Sequence, residues 1–475
     1  MNEKGKQGKC QAIQRQKVSK RKPEDRITDF KEVSLGLNET QAKLEASRCI
    51  QCLHPKCVVG CPVGIDIPRF IMQINKNDFA GAANVIRERN GIPRVTGRVC
   101  PQEKLCEAEC ILSKTGQPIA IGALERFAAD RGENIDLSKR ESTGKKVAII
   151  GSGPASLIAA VDLVKLGHKI IIFEALHEPG GVLVYGIPAF RLPKDIMRKS
   201  IDYVKSLGIK IENNVVIGKS MTIAELFDLG YDAIFIGSGA GSPKFLGLQG
   251  ENLNGVLSAN EFLTRCNLMR AYKFPKCDTP VYVGEKVAVI GGGNVAMDSA
   301  RTARRLGAKE VYIIYRRTEK EMPARVEEVE NTKDEDIQFM MLTNPVKIIG
   351  DEKGYVQGLE CLKMRLGEPD NSGRRKPIAK EESNFTLDLD MVIIAIGQGP
   401  NPIIGKTTPN LKVNDSGYLD VDGRGRTSYQ RVWAAGDIVP NSKTVIEAMC
   451  GAKNASRDMH LFLLKEQEKV DPWIS

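Results

Sequence analysis

Two stretches of this chain carry the same grammar, and it is restrictive. KVAIIGSGPASLIAAVDLVKLGHKIIIFEA (146–175) and KVAVIGGGNVAMDSARTARRLGAKEVYIIYRR (286–317) each read as a buried strand, a glycine turn, an amphipathic helix and a second buried strand. A lone G-x-G-x-x-G would say little, but the whole unit matches the Rossmann fingerprint, so two dinucleotide-binding folds are expected in one chain.

The two units end differently. The first has Gly151, Gly153, Pro154, Ala155 and Ser156 at the turn, and Glu174 at the end of the second strand, 23 positions after Gly151. Such glycines bring the backbone close to a pyrophosphate at a helix N-terminus, and the carboxylate suits a ribose diol, which points to FAD. The second has Gly291, Gly293, Asn294, Val295 and Ala296 at the turn, and its strand VYIIY runs into Arg316 and Arg317. Two guanidiniums there suit a 2′-phosphate through bidentate hydrogen bonds, with Lys320 close by in sequence, which points to NADP(H). Later, DMVIIAIGQGPN reads as a strand entering a turn at Gly397. RVWAAGDIVPNSKTVIEAMCGAKNA reads as a strand, Gly436-Asp437, a loop, and a helix beginning near Thr444. A Gly-Asp step of this kind carries an acid toward the ribityl and phosphate region of a flavin.

Upstream lies a metal-binding head. Seven of the twelve cysteines, Cys49, Cys52, Cys57, Cys61, Cys100, Cys106 and Cys110, fall in one stretch. In a reducing compartment a dense array of thiols binds metal rather than forming disulfides. Zinc favours two compact knuckles, whereas the run ending in Cys57-x3-Cys61-Pro62 has the x3-C-P close of bacterial ferredoxin runs, whose last cysteine serves the other cluster. On that rule Cys49, Cys52 and Cys57 hold one [4Fe-4S] cluster with a distant fourth ligand, and Cys61 joins Cys100, Cys106 and Cys110 in the second group. Seven thiolates cannot fill eight positions, so one ligand is not cysteine. The flanking IPRFIMQINKNDFAGAANVIRER and IAIGALERFAADRG read as helices, and the polar SKRESTGKK as a linker. Cys10, Cys266, Cys277, Cys361 and Cys450 are isolated and read as structural thiols.

A net charge of +10 on 475 residues is modest. The basic N-terminus (Lys4, Lys6, Lys9, Arg15, Lys17, Lys20, Arg21, Lys22) has no aromatic residue to stack on bases, which reads as a solvated tail and not a nucleic-acid surface. No apolar run reaches the roughly 18 residues of a membrane span, and no signal-peptide core is present, so a cytoplasmic protein without a membrane partner is expected.

Taken with GALERF, GSGPAS, Gly180-Gly181 and YGIPAFRLPK (Tyr185 to Lys194), the chain resembles the family of the glutamate synthase small subunit from about residue 25 onward. Among its relatives it is similar in size and layout to the large subunit of NADH-dependent reduced ferredoxin:NADP oxidoreductase and to the alpha subunit of sulfide dehydrogenase. It is similar also to the N-terminal half of dihydropyrimidine dehydrogenase. The resemblance implies that Cys110 completes the first cluster, that Glu125 completes the second, and that Gly180 and Gly181 contact FAD. From the Tyr185 to Lys194 segment Arg191 is singled out as a flavin-polarising cation, with a surface or phosphate-contact role as the alternative. Ser156 departs from the Gly or Ala of many relatives, and Cys450 lies in the helix after the Gly-Asp step.

The expected architecture is α/β: a helical two-cluster domain over 1–140, an FAD domain in two parts (141–283 and 395–475), and an inserted NADP(H) domain over 284–394. The expected activity is an NADPH-dependent flavin and iron-sulfur oxidoreductase, with a second redox subunit and ferredoxin as partners in a transhydrogenase-type complex. The alternatives are the NADPH-oxidising small subunit of glutamate synthase or a sulfide dehydrogenase-type subunit. More remote is a zinc-stapled scaffold without turnover.

Overall fold

A computed structural model describes residues 13–132, 141–370, 373–440, 442 and 444–465. Lys4, Lys6, Lys9 and Cys10 lie outside the described residues. The chain forms two compact units, one of Met1–Lys20 with Ser34–Leu137, the other of Arg21–Val33 with Ser138–Ser475. The segment Arg21–Val33, expected in the helical head, therefore belongs to the nucleotide unit: Phe30 stacks on Tyr272 with ring centroids 4.3 Å apart, and Val33 N–H donates to Phe190 O at 2.9 Å.

The first unit is helical. IPRFIMQINKNDFAGAANVIRER, read as helical throughout, divides into Ile67–Asn75 and Phe79–Arg87. The break is local: Asn77 takes a left-handed φ of 61°, and the Asp78 carboxylate caps the next helix by accepting from Gly81 N–H at 2.8 Å. Both helices pack against helix Ile121–Arg131, and Ile71, Ile74, Ile86 and Leu124 on these helices are all at 0% exposure. Glu45, also fully buried, ties the head together. It pairs with Arg48 at 2.7 Å and accepts the backbone N–H groups of Gln16 (2.7 Å) and Ala120 (2.8 Å).

The second unit contains two five-stranded, all-parallel sheets. One runs Val432–Ala434, Ala233–Ile236, Lys146–Ile150, Lys169–Phe173, Lys210–Glu212; the other runs Gln338–Met341, Glu310–Tyr315, Lys286–Ile290, Met391–Ile394, Val256–Ser258. Parallel neighbours need helical crossovers that cover both faces, and the inner strands Lys146–Ile150, Ala233–Ile236, Lys286–Ile290 and Met391–Ile394 are accordingly almost wholly buried. The two sheets even start alike: Lys146 N–H donates to Asp232 Oδ2 and Lys286 N–H to Asp390 Oδ2, each at 2.8 Å. Because Val432–Ala434 returns to the first sheet, the second fold is an insertion in the first. Its sheet takes in Val256–Ser258, upstream of the expected start at 284. It also carries an antiparallel sheet of Thr343–Gly350, Val356–Pro369, Arg375–Ala379 and Phe385–Asp388.

Candidate cofactor sites

The head sorts its thiols into two groups. Cys57 is pushed up to about 12 by burial and by Cys110, Cys49 and Cys52; burial raises Cys49 too, with Cys110 and Cys52 as its charged neighbours. Cys106 is raised by burial, then by Glu107, Cys100, Cys61 and Glu125, and Cys61 has Glu125 as its charged neighbour. Electrostatic proximity thus separates Cys49, Cys52, Cys57 and Cys110 from Cys61, Cys100, Cys106 and Glu125. Cys49, Cys57, Cys61 and Cys106 would resist ionising unless cationic iron compensated the negative charge, which is what a four-ligand cluster supplies. Among the described residues no three His, Cys, Asp or Glu side chains are arranged to hold a single metal ion. The first group lines an apolar cavity with Ile71 and Ile121.

Glu125 is buried at 6% exposure, and burial pushes its carboxyl up to about 7 against two donors that favour the charged form. Thr96 Oγ1 and Asn90 Nδ2 both donate to its Oε1, at 2.6 and 3.0 Å. Such an arrangement orients a carboxylate ligand through one oxygen and leaves the other for metal. Sequence reasoning missed Asn90 and Thr96, since neither belongs to a motif. On Cys61 the backbone N–H groups of Ile65, Val63 and Gly64 converge, a pattern that tunes cluster potential.

The first glycine turn is built around one hydroxyl. Ser152 Oγ donates to Glu174 Oε2 and accepts from Gly180 N–H at 2.7 Å, while Ser152 N–H reaches the same carboxylate oxygen at 2.9 Å. Turn, acid and the Gly180-Gly181 step are thereby locked together. Gly153 caps helix Pro154–Lys165, and a Cβ there would meet nothing nearer than Gly237 O at 4.0 Å. Open space before a helix N-terminus fits a pyrophosphate. Ser156, the departure from the family pattern, is fully buried and donates to Gly237 O at 3.4 Å. Behind Gly436, Asp437 is pushed up to about 6 by burial. Asp437 and Glu174 face Tyr185, which burial and those two acids raise to about 12. Thr444 caps helix Val445–Leu464 by accepting from Glu447 N–H at 3.3 Å. Lys194 Nζ, half-buried and without an ion pair among the described residues, donates to Val184 O (2.7 Å) and Ile187 O (2.5 Å) and so holds the backbone after Gly181. Burial depresses it to about 7.

The second turn repeats the open N-cap: Gly293 has only Pro323 Cγ, at 3.9 Å, near its Cβ position. Asn294 Oδ1 accepts Arg325 N–H at 3.0 Å, and Val295 is 40% exposed. Arg316 is exposed just past the end of strand Glu310–Tyr315. Arg317 is not available in the same way: it is buried, pairs with Asp370 at 2.6 Å and donates to Arg375 O at 2.8 Å. It anchors the antiparallel sheet, which corrects the expectation of a paired clamp. Arg191 is likewise committed, to Asp298 at 2.6 Å and Glu328 at 3.2 Å, so the structure does not present it as a free cation for a flavin. Gly397, at φ 113°, has no neighbour within 4 Å of a Cβ position.

The domain family described as dihydropyrimidine dehydrogenase domain II, 4Fe-4S cluster, matches residues 26–136, and pyridine nucleotide-disulphide oxidoreductase matches 145–455. The glutamate synthase [NADPH] small chain of Halomonas elongata is 34% identical over 93% of this chain and 95% of its own length. The chain belongs to the glutamate synthase small chain family. Within that family the Escherichia coli small chain is again 34% identical, over 94% of this chain and 96% of its own. The beta subunit of NADP(+)-dependent formate dehydrogenase from Moorella thermoacetica is 36% identical, but this chain spans only 62% of its length. Mycobacterium tuberculosis FprA, solved in complex with NADPH, shares the fold of 70% of the chain at a TM-score of 0.58 and 23% identity. This family member is a pyridine-nucleotide-dependent flavin and iron-sulfur oxidoreductase, as expected from its motifs. No helix among the described residues is long and apolar enough to cross a membrane.

Proposed function

We propose that this chain is the NADPH-linked subunit of a larger redox complex, in which electrons pass between NADPH, FAD, the Glu125 cluster and the Cys110 cluster, and then a protein partner. The observation that carries it is the division of seven cysteines and Glu125 into two quartets. When bound, FAD exchanges electrons pairwise with the nicotinamide and singly with the clusters, which is the cofactor's own chemistry. The residues position and insulate. Gly153 and Gly293 leave room for pyrophosphates, Glu174 suits a ribose, Arg316 marks the 2′-phosphate, and Thr96 and Asn90 orient Glu125.

A redox partner is supported by the surface around the Cys49 site. Leu53, Val59 and Ile50, at 89%, 87% and 61% exposure, are the three most exposed large hydrophobic residues among those described, and all lie in the segment of loop and short helix Lys56–Val59 that carries Cys49, Cys52 and Cys57. Apolar exposure concentrated beside a redox centre marks a docking face. Identity to glutamate synthase small chains is no higher than to the formate dehydrogenase subunit. The comparisons therefore favour the shared redox core over any one end reaction, and the ferredoxin-coupled transhydrogenase assembly is our reading of that reaction. The end-to-end match to small chains favours the glutamate synthase complex as the second reading.

The decisive experiment is anaerobic titration of the purified chain with NADPH and, separately, NADH while the flavin absorbance is followed. Preferential bleaching by NADPH is expected; a stronger response to NADH, or none to either, would overturn the proposal. Affinity isolation from the source cells then separates the two assemblies, by recovery of a flavin subunit or of a synthase subunit.

A further inference from the structure

One junction in the nucleotide unit is built from charges that the cofactor sites do not use. Arg191 belongs to the Tyr185–Lys194 stretch of the first dinucleotide fold, while Asp298 lies on helix Asn294–Arg305, which leaves the second glycine turn. The two side chains are 7% and 4% exposed and meet at 2.6 Å, and Arg191 Nε is also 3.2 Å from Glu328. The network continues inward: Arg301 pairs with Glu328 and, at 2.9 Å, with Glu335, and Arg305 meets Glu335 at 2.6 Å. Three guanidiniums thus face three carboxylates, all buried.

The neighbour of Arg191 is gripped as well. Phe190 has the guanidinium carbons of Arg305 and Arg301 at 4.0 and 4.6 Å from its ring centroid. Its carbonyl accepts from Val33, at the end of the Arg21–Val33 segment, and Arg26 of that segment reaches Asn331 (3.4 Å) and Asp334 (3.3 Å) on the second fold. Two dinucleotide folds are therefore tied at one point by ions, rings and a strap.

Buried ion pairs are poor sources of stability, because desolvation offsets most of the attraction. What they supply is register: an arginine fork accepts its carboxylates in few geometries, so two elements joined by it cannot slide. Register matters here because hydride transfer requires reacting atoms about 3–3.5 Å apart, and a misplacement of about 1 Å costs about 100-fold in rate. We propose that Arg191 and Asp298 are positioning residues, a bridge that fixes the second fold on the first so that a bound nicotinamide meets the flavin at hydride-transfer distance. This rests on the NADPH-to-flavin reading above.

The test uses the holoenzyme and two variants. Arg191→Met with Asp298→Asn removes both charges of the bridge, and Arg191→Lys keeps the charge without the fork. In anaerobic stopped-flow with NADPH, the limiting rate of flavin reduction should fall about tenfold or more in both, with NADPH affinity held within about threefold. Amide hydrogen exchange, independent of turnover, should rise together over 182–194 and 294–305 while the two parallel sheets stay protected. A limiting rate within about twofold of the parent, a loss carried by affinity alone, or exchange that rises on only one side would overturn the bridge. If the double variant does not fold, Arg191→Lys decides by the same readings. Failure of the parent enzyme to be reduced by NADPH would sink the functional proposal instead, which keeps the two separable.

Discussion

Substituting alanine at two glycines of one turn should give opposite phenotypes. Gly151 has φ +87°, and a Cβ there would sit 2.7 Å from Gly237 O, just past the end of strand Ala233–Ile236. The left-handed backbone alone costs a non-glycine residue about 1–2 kcal/mol, and displacing the backbone carbonyl of Gly237 brings the total to about 2–4 kcal/mol. Gly153 has φ −69° and ψ −178°, ordinary for any residue, and its Cβ would meet nothing nearer than 4.0 Å. Gly153→Ala should therefore leave the apoprotein as stable as the parent, or up to about 1 kcal/mol more so, because alanine lowers unfolded-chain entropy. Its methyl, however, enters the space assigned to the pyrophosphate, and FAD affinity should weaken tenfold or more, about 1.4 kcal/mol. Denaturant midpoints of the apoprotein and flavin-fluorescence titration separate the two effects. Parent-like FAD affinity in Gly153→Ala would refute the placement of the phosphate at this helix terminus.

Replacing Cys57 by Ser should lower iron from about eight to about four per chain and leave FAD bound, whereas Cys106→Ser should remove the other cluster; iron analysis and EPR of the reduced protein check both, and loss of FAD with both clusters intact would contradict the quartets. Arg316→Ala should reduce the preference for NADPH over NADH by about tenfold through NADPH affinity alone, measured by flavin-bleaching titrations with each; Arg317→Ala should instead destabilise the antiparallel sheet, since Arg317 is spent on Asp370 and Arg375. His168 is buried, hydrogen-bonded to Thr143 (2.8 Å) and His460 (2.9 Å), and held down at about 4 by burial and by His460. Its folded value lies below the unfolded value of about 6.5, so the unfolded chain takes the proton first and stability falls as pH drops from about 6.5 toward 4, by about 1.5 kcal/mol between pH 6.5 and 5. Unfolding midpoints across pH 5–7.5 should show this slope in the parent and a shallower one in His168→Gln.

Much of this protein is written locally. Each dinucleotide fold is announced by one contiguous stretch, because a strand, a tight turn that only glycine permits, and a crossover helix are all short-range requirements. The cysteine run is legible for a similar reason, since cluster ligands must lie on a few neighbouring loops, and the shortfall of one thiolate was a matter of counting. What the sequence could not show is which side chains spend their charge on each other. Arg316 and Arg317 are adjacent and alike, yet one is exposed and the other is buried against Asp370, a partner 53 positions away. Arg191 looked like a free cation until the fold brought Asp298 and Glu328 to it, 107 and 137 positions on. The Arg21–Val33 segment precedes the cysteines but packs with the nucleotide unit. Sequence spacing decides which backbone turns and ligand sets can form; only tertiary contact decides which ions are paired, because desolvation and Coulomb attraction depend on distance in space and not along the chain.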